Sequence, residues 1–220
     1  MPTINEQARA FAAQLANDAP TIADVFAREQ AGWRDSGVPA GAVAAGDRLP
    51  PFALPDADGT PVTLDDLLAG GPAVLVFYRG GWCPYCNIAL RAYQADLLPQ
   101  LGRYGARLVA ISPQTPRASA RTQARAGLEF TVLSDAGSHL ARQLGIAFQP
   151  AAEVVEAQRS LGLDLGRVNV DGAPDLPMPT VLVVDRSRVV RFADTQADYT
   201  ARTEVADIVA ALDVLAHDAA

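Results

Sequence analysis

The stretch Val74-Leu75-Val76-Phe77-Tyr78-Arg79-Gly80-Gly81-Trp82-Cys83-Pro84-Tyr85-Cys86 decides how this chain is read. Residues 73–78 form a short apolar run between Gly70-Gly71-Pro72 and Gly80-Gly81, the pattern of a strand covered on both faces. Two glycines then allow a sharp turn. Pro84 suits a first helical position, where its missing N–H is no loss. Ile88, Leu90, Tyr93, Leu97 and Leu98 follow at roughly helical spacing. The pattern predicts Cys83 at a helix N-cap and Cys86 in the first turn.

These are the only two cysteines in the chain. A helix start offers unpaired N–H groups and a partial positive charge, and both stabilise a thiolate, the nucleophilic form. A second sulfur three positions away can close a disulfide, which makes the pair a reversible two-electron carrier. A peroxide would oxidise one thiolate to a sulfenic acid, and the other cysteine would condense with it and release water. Buried cysteines also serve as small hydrophobes, but a proline-spaced pair after a strand fits that role poorly. A structural zinc wants about four N/S ligands. The only histidines are His139 and His217, so neither a metal nor a cofactor is expected.

At this point the sequence resembles the thioredoxin-fold superfamily. More narrowly it is similar to the peroxiredoxin-like alkyl hydroperoxide reductase/thiol-specific antioxidant family. The matching pieces are residues 46–54 (GDRLPPFAL), 77–86 (FYRGGWCPYC) and 178–185 (MPTVLVVD). The resemblance covers roughly residues 46–216 and implies a thioredoxin-like α/β fold. In peroxiredoxins a threonine stands three positions before the peroxidatic cysteine. On that register Cys86 is peroxidatic and Cys83 takes the threonine's place. Family peroxidases also carry an arginine before the last pair of strands; here Pro179 stands there and resembles the cis-proline of thioredoxins. In thioredoxin terms Cys83 would attack, yet the buried aspartate beneath the cysteines is missing. The tetrad Cys83-Pro84-Tyr85-Cys86 equals that of glutaredoxins, without their glycine pair after the proline.

Half of the 220 residues are apolar, enough for a full core and too many for a disordered chain. The net charge of −7 disfavours nucleic acid and anionic membranes as partners. Every basic residue is arginine, which excludes lysine chemistry. Asn5, Glu6 and Arg9 stand where a leader would need an apolar core. No apolar run approaches the ~20 residues of a membrane span. A cytoplasmic setting, where a cysteine pair is more often catalytic than structural, is therefore expected.

In chain order, residues 3–16 and 21–33 predict two amphipathic helices split by Pro20. With the linker up to residue 46 they form an N-terminal helical extension. This extension packs on the core or on a second subunit as a homodimer, or lies as a lid over the cysteines. The thioredoxin-like domain is assigned to 47–220. It opens with strands 52–54 and 62–64 around an Asp58-Gly59 turn and a short helix at Asp65-Asp66. The cysteine helix should end near Tyr104-Gly105. A strand at 107–112 precedes a helix at 116–126 whose Arg117, Arg121 and Arg125 form a stripe, read as a solvated face. A strand at 130–133 follows, then a helix capped by Ser134-Asp135. Residues 150–177 read as an insertion, helical at 151–161, with a turn at Asp171-Gly172. An insertion there can shape access to a site. A hairpin over 180–192 and a final amphipathic helix from Val205 complete a mixed central sheet flanked by helices.

Around the cysteines, Pro179 is favoured as a cis-proline facing the pair over a plain proline at a strand start. Thr180 brings a hydroxyl nearby, although a strand role suffices for it. Trp82 shields the sulfurs or belongs to the core. Arg79 either stabilises a thiolate or polarised peroxide, or is a solvated turn residue. Helix electrostatics favour Cys83 as the attacking thiol, since it should be the more exposed, and the peroxiredoxin register favours Cys86. The resemblance implies a thiol peroxidase that reduces hydrogen peroxide or organic hydroperoxides through a Cys83–Cys86 disulfide. Thioredoxin or another dithiol reductant would recycle it. The alternatives are a thiol–disulfide oxidoreductase acting on proteins and a redox-sensing interaction module.

Overall fold

The computed structural model describes residues 2–218. Helices α1 (Ile4–Asp18) and α2 (Pro20–Ser36) lead into the hairpin β1 (Ala53–Pro55) and β2 (Pro61–Thr63), then α3 (Leu64–Leu68) and β3 (Ala73–Phe77). After β3 come α4 (Pro84–Ala92), β4 (Arg107–Ser112), α5 (Pro116–Ala126), β5 (Thr131–Ser134) and α6 (His139–Gln143). After β6 (Ala147–Phe148), the segment read as an insertion, 150–177, holds α7 (Ala152–Ser160), α8 (Leu165–Val168) and β7 (Leu176–Pro177). The chain ends with β8 (Thr180–Val184), β9 (Val190–Thr195) and α9 (Val205–Asp218).

Five strands form one mixed sheet in the order β5-β4-β3-β8-β9. β3 is central, parallel to β4 and antiparallel to β8. All five of its residues are buried. Their side chains alternate between two cores, as strand geometry requires. Val74 and Val76 join Leu90 of α4, Ile208 and Leu212 of α9, and Ile4 and Ala8 of α1. Ala73, Leu75 and Phe77 join Leu67 of α3 and Leu140 of α6. The apolar run is thus covered on both faces, and the predicted thioredoxin-like sheet is present.

The N-terminal extension packs on the core. Thr3 and Glu6 form a capping box at the start of α1. The Glu204 carboxylate accepts from the N–H groups of Ile4 and Asn5 at 3.0 and 2.8 Å. The helix begun by α4 runs on to Tyr104, as the spacing predicts, but changes form. A π-helical turn (Tyr93–Leu97) and a 3-10 stretch (Leu98–Tyr104) follow. Pro99 has no N–H to continue the α-helical ladder. The helix expected directly after Ser134-Asp135 is also broken. The Asp135 carboxylate accepts from Leu140 and Ala141 N–H, both at 3.0 Å, and Ser138 takes φ 55° between a 3-10 turn and α6.

Candidate active site

The cysteine turn is held from several sides. Cys83 is the N-cap of α4 and Pro84 its first residue, as the sequence predicts. The Gly81 N–H donates to Gln114 Oε1 at 2.8 Å, and Asn87 Nδ2 donates to the Gly81 carbonyl at 2.9 Å. A Cβ on Gly81 would lie 2.1 Å from Thr122 Oγ1. The second glycine of the pair is therefore required by close approach to α5.

Cys83 and Cys86 are free thiols, each 1% exposed. The expectation that Cys83 is the more exposed is corrected. It lies beneath the extension, where Phe11 of α1 meets Tyr85 edge to face at 5.3 Å. Arg202, in the loop between β9 and α9, reaches the pair. Its Nη2 donates to Cys86 Sγ at 3.1 Å and stands 3.9 Å from Cys83 Sγ. Its Nη1 donates to the carbonyls of Tyr199 and Ala201 at 2.6 and 2.5 Å. The Arg202 side chain is buried.

The two thiols are driven apart. Burial pushes the Cys83 thiol well up, and the hydrogen bond it donates to Cys86 adds to this. Burial also opposes a charged Cys86. That penalty is outweighed by the bond from Cys83, the charges of Arg202 and Arg79, and the Arg79 backbone N–H, which hold Cys86 well below the usual thiol range. Of the two registers, the electrostatics support a Cys86 thiolate beside a protonated Cys83.

Arg79 is not a solvated turn residue. It is 3% exposed, with its guanidinium carbon 4.0 Å from the Tyr199 ring centroid, 5.0 Å from Trp82 and 5.9 Å from Phe148. Cation–π contact stabilises a desolvated guanidinium held this way. Its Nε has no hydrogen-bond partner. Trp82 is half-buried and covers Arg79, so it shields the cysteine turn through that cation.

Pro179 and Thr180 line a small cavity with Cys86, Tyr93 and Arg202. Pro179 thus shares a space with Cys86, while Cys83 does not line it. The cis-proline expectation is corrected, since no peptide bond among the described residues is cis. The chain runs extended from β7 into β8: Met178 N–H donates to Ile146 O at 2.7 Å, and Pro179 O accepts from Gln196 N–H at 2.8 Å. A proline at the start of a strand needs no N–H partner. Thr180 Oγ1 bonds Met178 O at 3.0 Å and Thr195 Oγ1 at 3.2 Å, which satisfies it within the sheet region.

Sequence reasoning missed Arg202 and Gln158. Arg202 lies 116 positions from Cys86 in a polar segment that carries no motif. Gln158 is 3% exposed in α7, and neither of its amide atoms has a partner. Arg117, Arg121 and Arg125 are exposed, in keeping with a solvated face. Among the described residues no cluster of His, Cys, Asp or Glu could hold a metal ion, and no helix is long and apolar enough to cross a membrane.

Known proteins resemble this chain in sequence and in fold. Peroxiredoxin Bcp of Escherichia coli is 32% identical over 102 residues, which cover 46% of this chain and 64% of that protein. The chain thus spans less than two thirds of that relative's length. The crystal structure of peroxidoxin BcpB from Mycobacterium tuberculosis superposes with a TM-score of 0.61 at 25% identity, covering 78% of this chain and 97% of that one. AhpC of Enterococcus faecalis, at 15% identity, shares the fold with a TM-score of 0.62 over 80% of this chain and 94% of its own. Residues 45–193, from the linker through most of β9, match the AhpC/TSA family. The central sheet, the cysteine turn and this match agree: the chain belongs to the AhpC/TSA family, with a thioredoxin-like fold.

Proposed function

We propose that the protein is a thiol-dependent peroxidase in which Cys86 attacks the peroxide and Cys83 resolves. The observation that carries this reading is the Arg202 guanidinium 3.1 Å from Cys86 Sγ. A buried cation there stabilises the thiolate before reaction. It can also bond the peroxide oxygens as negative charge builds on the leaving oxygen. The Cys86 thiolate attacks one peroxide oxygen, the O–O bond breaks, and the other oxygen leaves with the electron pair and takes a proton. Cys86 becomes a sulfenic acid. Cys83, deprotonated as it reacts, attacks that sulfur and expels hydroxide, which leaves as water. The Cys83–Cys86 disulfide then accepts two electrons from a thiol reductant.

Pro179 and Thr180 would bound the peroxide cavity, and Arg79 and Trp82 would hold the charge on the Cys83 side. A reducing cytoplasm suits this cycle. A thiol–disulfide oxidoreductase is less well supported, because such an enzyme attacks with its first cysteine and burial pushes Cys83 up.

Peroxide reduction by the wild type, Cys83→Ser and Cys86→Ser proteins tests the assignment. Cys83→Ser should form one sulfenic acid per chain, trapped by a dione probe, and then stop. Cys86→Ser should form none. Sulfenic acid on Cys83 in the Cys86→Ser protein would overturn the assignment.

A further inference from the structure

Cys83 and Cys86 share one helical turn but line two different spaces that have no lining residue in common. Cys86 lines a small cavity with Tyr93, Thr180 and Arg202, about 10 Å³ in volume. That is room for about one water-sized molecule. Cys83 lines a chamber of about 340 Å³, within the usual range for small-molecule sites. The chamber lies outside the sheet. Phe11 and Leu15 of α1, Phe26 of α2, and Leu161 and Leu163 between α7 and α8 form its apolar wall. The extension and the insertion therefore build it together.

Two buried polar groups also line this chamber without partners. Arg79 is caged by three aromatic rings, and its Nε lacks a hydrogen bond. Gln158 has neither amide atom bonded. Trp82 lines it too, and its Nε1 is likewise unbonded. Buried polar atoms in folded proteins are nearly always paired, so four unpaired ones around one cavity ask for a ligand. Glu29 Oε1 accepts from the Ala151 N–H. The three rings stand 4.0, 5.0 and 5.9 Å from the Arg79 guanidinium carbon, and a planar anion such as a carboxylate is the partner that suits a guanidinium.

We propose that this chamber binds the reductant, a small thiol with an apolar body and a carboxylate, and delivers its sulfur to Cys83. This rests on the Cys83–Cys86 disulfide of the peroxidase cycle. The thiolate of the reductant attacks Cys83 Sγ, and the S–S bond breaks with its electron pair leaving on Cys86. Arg202 beside Cys86 makes that sulfur the better leaving group. A second thiol, on the same or another reductant molecule, then attacks the reductant sulfur of the mixed disulfide. Cys83 leaves as a thiolate and takes a proton. The balance is one protein disulfide and two thiols in, two protein thiols and one small disulfide out. A bulky hydroperoxide in the chamber would meet Cys83, not Cys86. A protein dithiol would meet the roof of α1 and α2 before it met a cysteine that is 1% exposed.

The test uses the full chain oxidised to the disulfide with diamide, so that it does not depend on peroxide chemistry. The probes are dihydrolipoate, its neutral amide dihydrolipoamide, and reduced thioredoxin. Reduction by dihydrolipoate should saturate with concentration and exceed that by dihydrolipoamide at least tenfold below saturation. Leu15→Trp, which fills the chamber, should slow dihydrolipoate tenfold or more and leave the peroxide half-reaction unchanged. Gln158→Leu, close in volume, should slow it severalfold and guards against misfolding of the first variant. Equal, unsaturated rates with acid and amide, indifferent to both variants, would overturn the proposal. So would faster reduction by thioredoxin that both variants leave unchanged. Slowing of an organic hydroperoxide by Leu15→Trp, with reduction intact, would make the chamber a peroxide site and overturn it too. Failure of peroxide to form the disulfide would sink the peroxidase reading alone, because the diamide arm still decides the chamber.

Discussion

Asn5 and Arg202 exchange two hydrogen bonds: the Arg202 N–H donates to Asn5 Oδ1 at 2.9 Å, and Asn5 Nδ2 donates to the Arg202 carbonyl at 2.7 Å. The first turn of α1 thereby fixes the backbone of the residue whose guanidinium lies against Cys86. The family match begins at residue 45, so this support comes from outside the matched frame.

Asn5→Ala removes both bonds. It also removes the bond from Asn5 Nδ2 to Glu204 Oε1 at 2.7 Å. At about 1 kcal/mol for each of the three, the loss in unfolding free energy should be about 3 kcal/mol, read by urea denaturation. The freed loop should also let Arg202 drift from Cys86, so the peroxide rate should fall more than stability alone explains. An unchanged rate in fully folded Asn5→Ala would show that the tie is structural only.

Arg202→Met removes the cation and keeps an apolar stem of similar reach. Hydrogen bonds to charged groups contribute about 1.5–3 kcal/mol, so the thiolate should become harder to form and the peroxide rate should drop by roughly ten- to a hundredfold. Ultraviolet thiolate absorbance against pH, recorded in the Cys83→Ser background, reads the first effect directly. A Cys86 titration that does not move on loss of Arg202 would remove the central electrostatic argument.

The depressed Cys86 thiol also links stability to pH. Its folded value lies well below the unfolded one, which is about 8.5. Between the two, the unfolded chain binds more protons, so this contribution to stability rises with pH. It is fully present above the unfolded value and lost as pH falls through the folded value. Wild-type stability minus that of Cys86→Ser should therefore climb with pH to about 8.5 and then level off. A flat difference across that range would mean that Cys86 is not held as a thiolate.

Gly81→Ala places a methyl group 2.1 Å from Thr122 Oγ1. Thr122 is tied to the Ala118 carbonyl at 3.0 Å and cannot retreat freely. Overpacking of this kind costs about 1–3 kcal/mol, which thermal melting would register. The turn bearing Cys83 should shift with it, and disulfide formation should slow. Full stability in Gly81→Ala would mean that α5 can move away.

Local pattern carried most of the fold. The run at 73–78 could only be a doubly covered strand, and Pro84 after two glycines could only place the cysteines at a helix start. The alternation of Val74 and Val76 against Leu75 and Phe77 follows from strand geometry once both faces are covered. The cis expectation at Pro179 failed because it rested on similarity in sequence, whereas the peptide is set by the extended path from β7 into β8. The two readings of Arg79 were not separable in sequence, because its exposure depends on Tyr199 and Phe148, distant in the chain and brought beside it by folding.

The sequence by itself determined the frame: a thioredoxin-like sheet, two cysteines at one helix start, and an extension and an insertion beyond the core. Those features are written in residues a few positions apart, where periodicity and turn chemistry act. Only the tertiary structure brings a cation to the sulfurs, since the Arg202 guanidinium reaches Cys86 from 116 positions away. It also decided that Cys86 meets a cavity the size of a water while Cys83 meets a chamber roofed by α1, α2 and the insertion. Coulomb attraction and enclosure depend on distance through space, and spacing along the chain does not encode either.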